Sequence, residues 1–395
     1  MQQILWGISS LSDALSGSRK VLLVCDSSYP FISIGPQVES AISGVGSPLL
    51  KFSDFASNPL EESVLKGVDL FTKEACDTLV AVGGGSSIDV AKCIKLYAKA
   101  PETKLIAIPT TAGTGSESTR FAVIYAQGKK QSITDDCIVP DFAILEPSVL
   151  ESLPLYQKKC TMMDALCQGL ESWWSVNSTD ASRILSRRAV QMILSNWSDY
   201  LASEAHSCRP GSASLHPSQS PFRHTGSELP SDSPASGPLP FTWPRAATPP
   251  GMNMPPEAIM EAANLAGQAI CITQTTAPHA FSYKLTSMYG LPHGHAVAIC
   301  LPEIWDFMLA NIEKCSDPRG PQYLQGVFEE ISQLINPEGF RALLAELELT
   351  APSAAEGDIA LLAASVNPIR LANNPVPISQ QDAGEIYSRI LNYHI

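Results

Sequence analysis

The sequence predicts an α/β region built on a parallel sheet, followed from residue 156 by an all-helical region. Three observations carry this prediction. Short apolar runs alternate with helical patterns up to Pro147, the signature of βαβ units. From Pro154 onward the apolar residues recur at helical spacing instead. Two histidines, His279 and His293, then stand fourteen residues apart on either side of a Tyr-Gly-Leu-Pro break, where a turn between helices would bring both imidazoles to one point, as a divalent metal requires; taken alone, histidines beside apolar residues are more often hydrogen-bonded core groups, so partners elsewhere in the chain must decide.

In chain order, Lys20–Cys25 (KVLLVC) is a buried-strand pattern closed by Asp26 and the turn cluster Ser27-Ser28-Tyr29-Pro30. An acidic residue at the end of a parallel strand is where a dinucleotide's ribose hydroxyls are often held. Here it precedes the glycine loop, the reverse of the usual order, and a turn cap is the alternative. Helical patterns at 36–47 and 60–75 flank a strand near Leu49–Phe52. A buried strand then runs from Asp77 into Gly83-Gly84-Gly85-Ser86-Ser87-Ile88-Asp89 and a helix. Glycines admit a pyrophosphate close to the backbone, and a helix N-terminus offers free N–H groups and a positive dipole end. A plain tight turn is the competing reading, which three successive glycines followed by two serines disfavour. The strand KLIAIP leads into Thr110, Thr111, Thr114 and Ser116 of PTTAGTGSE, a small hydroxylated loop that can line the nicotinamide-ribose end of a cofactor or serve as an ordinary connection. Strands at 120–126 and 142–145, with a polar turn at Gln127–Lys130, complete a first domain of residues 1–155.

The helical domain, 156–395, opens with QKKCTMMDALCQGLESWWSV. Asp164 and Gln168 are four apart and share a helix face. An unpaired carboxylate inside so apolar a helix is costly, so Asp164 is the oxygen ligand that the histidine pair lacks, with a turn cap as the alternative. Residues 203–254 hold ten prolines and ten serines without helical period, a composition that cannot order itself; a disordered insert is expected, with a translated intron or gene-model error as the alternative. Its His206, His216 and His224 are too irregularly spaced for a metal cluster. Short helices dominate from Pro321, with a loop over Pro368–Pro375 and a closing helix.

Composition excludes several classes. A net charge of −13 with no basic stripe argues against nucleic acid. No apolar run is long enough to span a bilayer. MQQILWGISSLSDAL lacks a basic-then-apolar signal, and ten cysteines without CxxC pairs suit reduced thiols. A cytoplasmic enzyme is expected.

The ordered set GGGSSIDVAK, PTTAGTGSE, DALCQGLES and the spaced histidines resembles the iron-containing (group III) alcohol dehydrogenase family, across nearly the whole chain apart from 203–254. The resemblance implies a dehydroquinate synthase-like fold: an N-terminal α/β dinucleotide-binding domain and an all-α C-terminal metal-binding domain, with the active site between them. It implies NAD(P)H-linked alcohol dehydrogenase or aldehyde reductase activity and a divalent ion, Fe2+ or Zn2+, held by one aspartate and three histidines. Carried over by position, the ligands are Asp164, Gln168, His279 and His293, with Gln168 a weak or water-bridged group where the family usually has histidine. The family also commonly has a histidine at the position of Tyr283, here a candidate proton donor one turn after His279. These departures, with DALCQ, ESWWS, APHAFSYKLTS and PHGHA, resemble the phosphonoacetaldehyde reductase branch, which implies reduction of phosphonoacetaldehyde to 2-hydroxyethylphosphonate. Enzymes of neutral alcohols or glycerol, a dehydroquinate synthase-like lyase and an inactive binding protein are the alternatives, and a homodimer is compatible with each. Asp26 would repel a 2′-phosphate, which favours NAD(H) over NADP(H). A phosphonate also requires cations in this acidic chain; Lys158, Lys159, Lys284 and His295 are the candidates nearest the ligands in sequence.

Overall fold

The structure, a computed structural model, describes residues 2–127, 129–202, 254–366 and 368–392. The Pro/Ser-rich segment predicted over 203–254 lies, Met254 apart, outside the described residues.

The first region contains strands β1 (Gln3–Trp6), β2 (Val21–Cys25), β3 (Leu50–Phe52), β4 (Thr78–Gly83), β5 (Lys104–Pro109), β6 (Phe121–Ala126), β7 (Lys129–Thr134) and β8 (Phe142–Leu145), with helices α1 (Leu11–Ala14), α2 (Gly35–Gly44), α3 (Glu61–Lys73) and α4 (Gly85–Tyr97). Six strands form one parallel sheet in the order β1-β8-β5-β4-β2-β3. Its central strands VLLVC, TLVAVG and KLIAIP are continuous apolar runs because both faces are covered. Val21, Leu23, Val80, Val82, Ile106 and Ile108 point to one side. Leu22, Val24, Leu79, Ala81, Leu105 and Ala107 point to the other, where Val64 and Phe71 of α3 and Ile88 and Ile94 of α4 cover them. Parallel pairing aligns the strand ends: Cys25 lies opposite Val82, and Gly83 opposite Pro109. Asp26, the glycine loop and Thr110 therefore emerge along one edge, the carboxyl edge at which open α/β sheets bind ligands.

Two expectations need correction. The strand predicted at 120–126 does not join the parallel sheet. It pairs antiparallel with β7, in a hairpin with Ala126 opposite Lys129. The pattern of β6 explains this: its residues alternate between buried and half-buried, which suits a ribbon with one covered face rather than a doubly covered strand. The loop expected over Pro368–Pro375 begins with a helical turn. The strand β1 lay unnoticed in the sequence and occupies the sheet edge beside β8.

The second region is helical: α5 (Leu155–Trp174), α6 (Asp180–Ala202), α7 (Pro255–Thr273), α8 (Ala277–Tyr289), α9 (His293–Ala310), α10 (Pro321–Ser332), α11 (Pro337–Glu346), α12 (Asp358–Ser365), α13 (Pro368–Leu371) and α14 (Gln380–Asn392). The helix α5 is buried without interruption from Met162 to Trp174, and α9 from Gly294 to Trp305. Helices covered on every side are central ones. Their apolar cluster is continuous with one face of the sheet, so no solvent layer separates the regions. Among the described residues, no helix is long and apolar enough to cross a membrane.

Two seams have no room for a side chain. Gly115 (φ 63°) lies against Gly267 of α7, where a Cβ on Gly115 would stand 2.5 Å from the Gly267 Cα. At the start of α9, a Cβ on Gly294 would run into the Cys160 carbonyl oxygen and stand 2.9 Å from the Cβ of Asp164. Replacing Gly294 by alanine should therefore wedge α9 away from α5 and destabilise the protein by about 1–3 kcal/mol. Gly326→Ala, in α10 with nothing within 4 Å of the added Cβ, should instead stabilise by about 0.5–1 kcal/mol. Denaturant midpoints of the two variants check both signs together.

Candidate metal and dinucleotide site

The cleft between the regions is floored by α5, α8 and α9. Asp164 and Gln168 project from one face of α5, a helical turn apart. Gly290 closes α8 in the left-handed conformation (φ 68°), the chain reverses through Leu291-Pro292, and His293 is the first residue of α9. That reversal brings the His279 and His293 rings to 5.2 Å between centroids. One ligand atom each from Asp164, His279 and His293 lie within 4.8 Å of one another.

What fixes His279 is Glu171, which sequence reasoning missed. It is fully buried on α5, two turns after Asp164 and on the same face. Its Oε1 accepts from the Thr276 N–H and hydroxyl (both 3.0 Å) and from the His279 N–H (3.3 Å). It thus caps the start of α8, where a negative charge is favourable. Its Oε2 meets His279 Nδ1 in a short contact. A proton shared at Nδ1 leaves Nε2 facing the Asp164 Oδ1, 3.3 Å away. Burial alone would lower the pKa of His279, but Glu171 and Asp164 lift it to about 9. Burial dominates at His293 and pushes it down to about 3, against the pull of Asp164. Asp164 stays below the usual carboxylate range: burial would raise it, but His279 and His293 more than offset that.

Asp164 Oδ1 and Gln168 Oε1 are both buried without a hydrogen bond. Gln168 is held at its other end, where Nε2 donates to the Thr114 carbonyl (3.3 Å). Two orphaned oxygens beside two imidazoles form a donor set that suits a divalent cation. Asp164, His279 and His293 could hold such an ion, with the Gln168 amide oxygen as a weaker fourth group. Tyr283 is in the same cleft, its ring stacked on that of His293 at 5.9 Å. Burial raises its pKa, so the phenol keeps its proton.

The opposite wall is the glycine loop and α4. Gly84 stands before the helix in an extended conformation, and Gly85 begins it. Gly83 (φ 149°) is packed against the Ser87 side chain. The cleft is lined here by Gly85, Ser86, Asp89, Thr114 and Ser116. Thr110 N–H donates to the Gly83 carbonyl (3.0 Å), and Thr111 packs against Gly84, so the two loops form one surface. At the end of β2, the Asp26 carboxylate accepts from the Ser28 N–H (2.8 Å), the Ser28 hydroxyl (2.5 Å) and Ser87 Oγ (3.3 Å). It is beside the glycine loop, where both the ribose reading and the turn-cap reading require it. Asp89 and Ser116 are occupied within the protein. Asp89 accepts from Ser116 Oγ (2.5 Å) and the Val123 N–H (2.9 Å), and thereby joins α4 to the loop and the hairpin.

The expected cations are elsewhere. His295 is held between the Tyr156 hydroxyl (2.8 Å) and the Thr350 carbonyl (3.0 Å). Lys158 is buried, with its ammonium 5.5 Å from the Tyr200 ring centre. Lys159 reaches Glu348 at 3.4 Å. None of these, nor Lys284, lines the cleft. Lys130 and Arg370 do, and no pattern in the sequence pointed to them.

The family models described as iron-containing alcohol dehydrogenase and as the C-terminal part of the Fe-containing alcohol dehydrogenase family match residues 5–147 and 251–391. The chain is 33% identical over 194 residues to an NAD-dependent methanol dehydrogenase of Bacillus methanolicus, covering 45% of this chain and 51% of that protein. It is 29% identical over 293 residues to a phosphonoacetaldehyde reductase of Streptomyces viridochromogenes, covering 68% and 62%. The matched stretches thus span about half to three fifths of these relatives. Among solved structures, an iron-containing alcohol dehydrogenase of Thermococcus thioreducens superposes with a TM-score of 0.79 at 21% identity, covering 100% of this chain and 99% of the other. A sulfoacetaldehyde reductase of Bifidobacterium kashiwanohense in complex with NAD+ gives 0.76 at 22%, covering 100% and 98%. At these identities the structural likeness concerns the fold.

Glu171→Gln should keep the size of the side chain but remove the charge that orients His279. Divalent-ion affinity, read by competition with a chelator, should fall roughly 10–100-fold. Unchanged affinity would mean that Glu171 serves only as the cap of α8.

Proposed function

Because the chain belongs to the iron-containing alcohol dehydrogenase family, we propose that it is a metal-dependent, NAD(H)-linked aldehyde reductase whose substrate is phosphonoacetaldehyde, reduced to 2-hydroxyethylphosphonate. The observation that carries the reading is the Asp164, His279 and His293 set, which faces the α4 N-terminus across one cleft. The relative whose match covers 68% of the chain is a phosphonoacetaldehyde reductase, which supports the choice of substrate.

Overall, a hydride passes from NADH to the carbonyl carbon and a proton reaches the oxygen, giving alcohol and NAD+. The nicotinamide supplies the hydride, and a divalent ion such as Fe2+ or Zn2+ supplies Lewis acidity at the carbonyl oxygen. The protein's contribution is orientation and charge. Asp164, His279 and His293 would hold the ion, Glu171 would keep His279 Nε2 turned toward it, and Gln168 would offer its amide oxygen. The first turn of α4 presents N–H groups and a positive dipole end to the pyrophosphate. Asp26 would accept from the adenosine ribose. Tyr283, protonated and stacked on His293, is positioned to hold or deliver the proton.

NADH oxidation measured with phosphonoacetaldehyde, acetaldehyde, propanal and lactaldehyde tests the substrate. We expect kcat/KM for the phosphonate to exceed the others by roughly tenfold or more, the worth of one charge-assisted hydrogen bond, and all rates to fall on exhaustive chelation. Equal rates would leave only a general alcohol dehydrogenase, and full activity without metal would overturn the mechanism. A carboxylate about 4 Å from a phosphate charge costs about 4 kcal/mol at an effective dielectric near 20. NADH should therefore be preferred over NADPH, and Asp26→Gly should narrow the ratio of their kcat/KM values by roughly tenfold or more. An unchanged ratio would assign Asp26 to the turn alone.

A further inference from the structure

The hairpin of β6 and β7 leans over the cleft and brings a lysine to its mouth. The Lys130 ammonium is 3.5 Å from the centre of the Tyr283 ring, a cation–π contact that turns the tip of this otherwise exposed side chain toward the site. Arg370 reaches the same place from α13, more than two hundred residues later, and its guanidinium donates to the Ser132 hydroxyl of the hairpin in a short contact. Lys130, Ser132, Tyr283 and Arg370 line the cleft together with Asp164, His279 and His293. Both cations bear on each other's surroundings: the charge of Arg370 reaches Lys130 and Tyr283, and Asp164 is within electrostatic reach of Lys130.

Two like charges are thus held close together, and among the described residues neither has a carboxylate at ion-pair distance. In a chain with 39 acidic residues against 26 lysines and arginines, cations paired with acids are the ordinary outcome. Those on the surface behave so: Lys20 meets Glu74, Lys51 meets Glu39 and Lys66 meets Asp54. An unneutralised pair beside a substrate site is a standing demand for an anion. Desolvation of the ammonium and the neighbouring guanidinium press the Lys130 pKa down to about 7, against the pull of Asp89 and Asp164.

We infer that Lys130 and Arg370, steadied by Tyr283 and Ser132, form a two-cation clamp for a tetrahedral oxyanion on the substrate, and so select aldehydes that carry a phosphonate or sulfonate. This rests on the aldehyde reductase reading above and deepens it by assigning the residues that discriminate. The clamp is assigned to the substrate, and the pyrophosphate to the first turn of α4, whose Gly85 and Ser86 line the same cleft. Arg370 supplies a planar fork that can engage two oxygens, and Lys130 supplies a point charge. The hairpin belongs to the first region and α13 to the second, so a bound anion would also tie the two regions across the cleft.

Binding of methylphosphonate, measured by calorimetry on the metal-loaded protein, tests the clamp without requiring turnover. The parent protein should bind it. Lys130→Gln and Arg370→Gln should each weaken binding roughly 10–100-fold, and Arg370→Lys should recover part of the loss. In the NADH assay the same variants should raise KM for phosphonoacetaldehyde while leaving KM for propanal and for NADH unchanged. Methylphosphonate binding that survives in the Lys130→Gln, Arg370→Gln double variant, or fails in the parent, overturns the clamp. A rise in the KM for NADH instead would assign these cations to the cofactor and overturn it equally. Binding that follows the clamp in a protein that reduces no aldehyde would keep the inference and remove the reductase reading.

Discussion

Asp164 and Glu171 are seven residues apart on a helix that water does not reach, and each must be neutralised where it stands. A buried carboxylate without compensation costs several kcal/mol. Glu171 obtains its compensation within the protein, from two backbone N–H groups, a threonine hydroxyl and an imidazole. Asp164 is compensated more loosely, by the charge of the neighbouring imidazoles: its Oδ1 faces His279 Nε2 at 3.3 Å without a formed hydrogen bond, and the Gln168 amide oxygen is equally orphaned. One charge is thus spent on fixing the start of α8 and the tautomer of His279. The other could serve a divalent cation together with His279 and His293.

That division works only if the surrounding elements cannot relax toward it. Backbone contacts at the Gly115–Gly267 and Gly294–Cys160 seams fix the distance between the small-residue loop and α7 and between α9 and α5. A buried polar lattice locks the orientation. The Lys92 ammonium donates to Ser116 Oγ (3.2 Å) and to the Thr119 and Phe121 carbonyls (2.7 and 2.8 Å). Asn264 of α7 donates to Glu117 (3.1 Å) and Ser118 (2.6 Å). Lys92, Ser116, Glu117, Ser118 and Asn264 are nearly fully buried, and the Asn264 bonds cross from α7 to the first region, so separating the two regions would strand those buried polar groups. The hairpin lines the cleft between these regions, with Phe121, Ala122, Val123, Lys130 and Ser132.

The charge distribution follows the same logic at the mouth of the cleft. An acidic protein keeps two cations there, one braced by an aromatic ring and one by a serine hydroxyl. Neither brace carries a negative charge that would quench them. A neutral partner positions a cation and leaves its field available.

Much of this was legible in the sequence. The doubly buried strands read as apolar runs, the glycine loop stood between a strand and the helix α4, Asp164 stood out because a carboxylate inside an apolar helix is expensive, His279 and His293 by their spacing, and Gln168 through the family resemblance. Helical and strand periods act locally, so a pattern in neighbouring residues suffices to reveal them. Glu171 was readable in principle, two turns beyond Asp164, but a glutamate near a helix end has an ordinary solvated reading. The pairing of β6 with β7 required knowing that only one face of β6 is covered. Lys130 and Arg370 could not be found at all: a lysine at a polar turn and an arginine in a loop-like stretch carry no local signature. Only the tertiary fold decided their role, because their proximity is set by how the hairpin and α13 close over the same cleft. That closure depends on packing between residues far apart in the chain, to which local periodicity is blind.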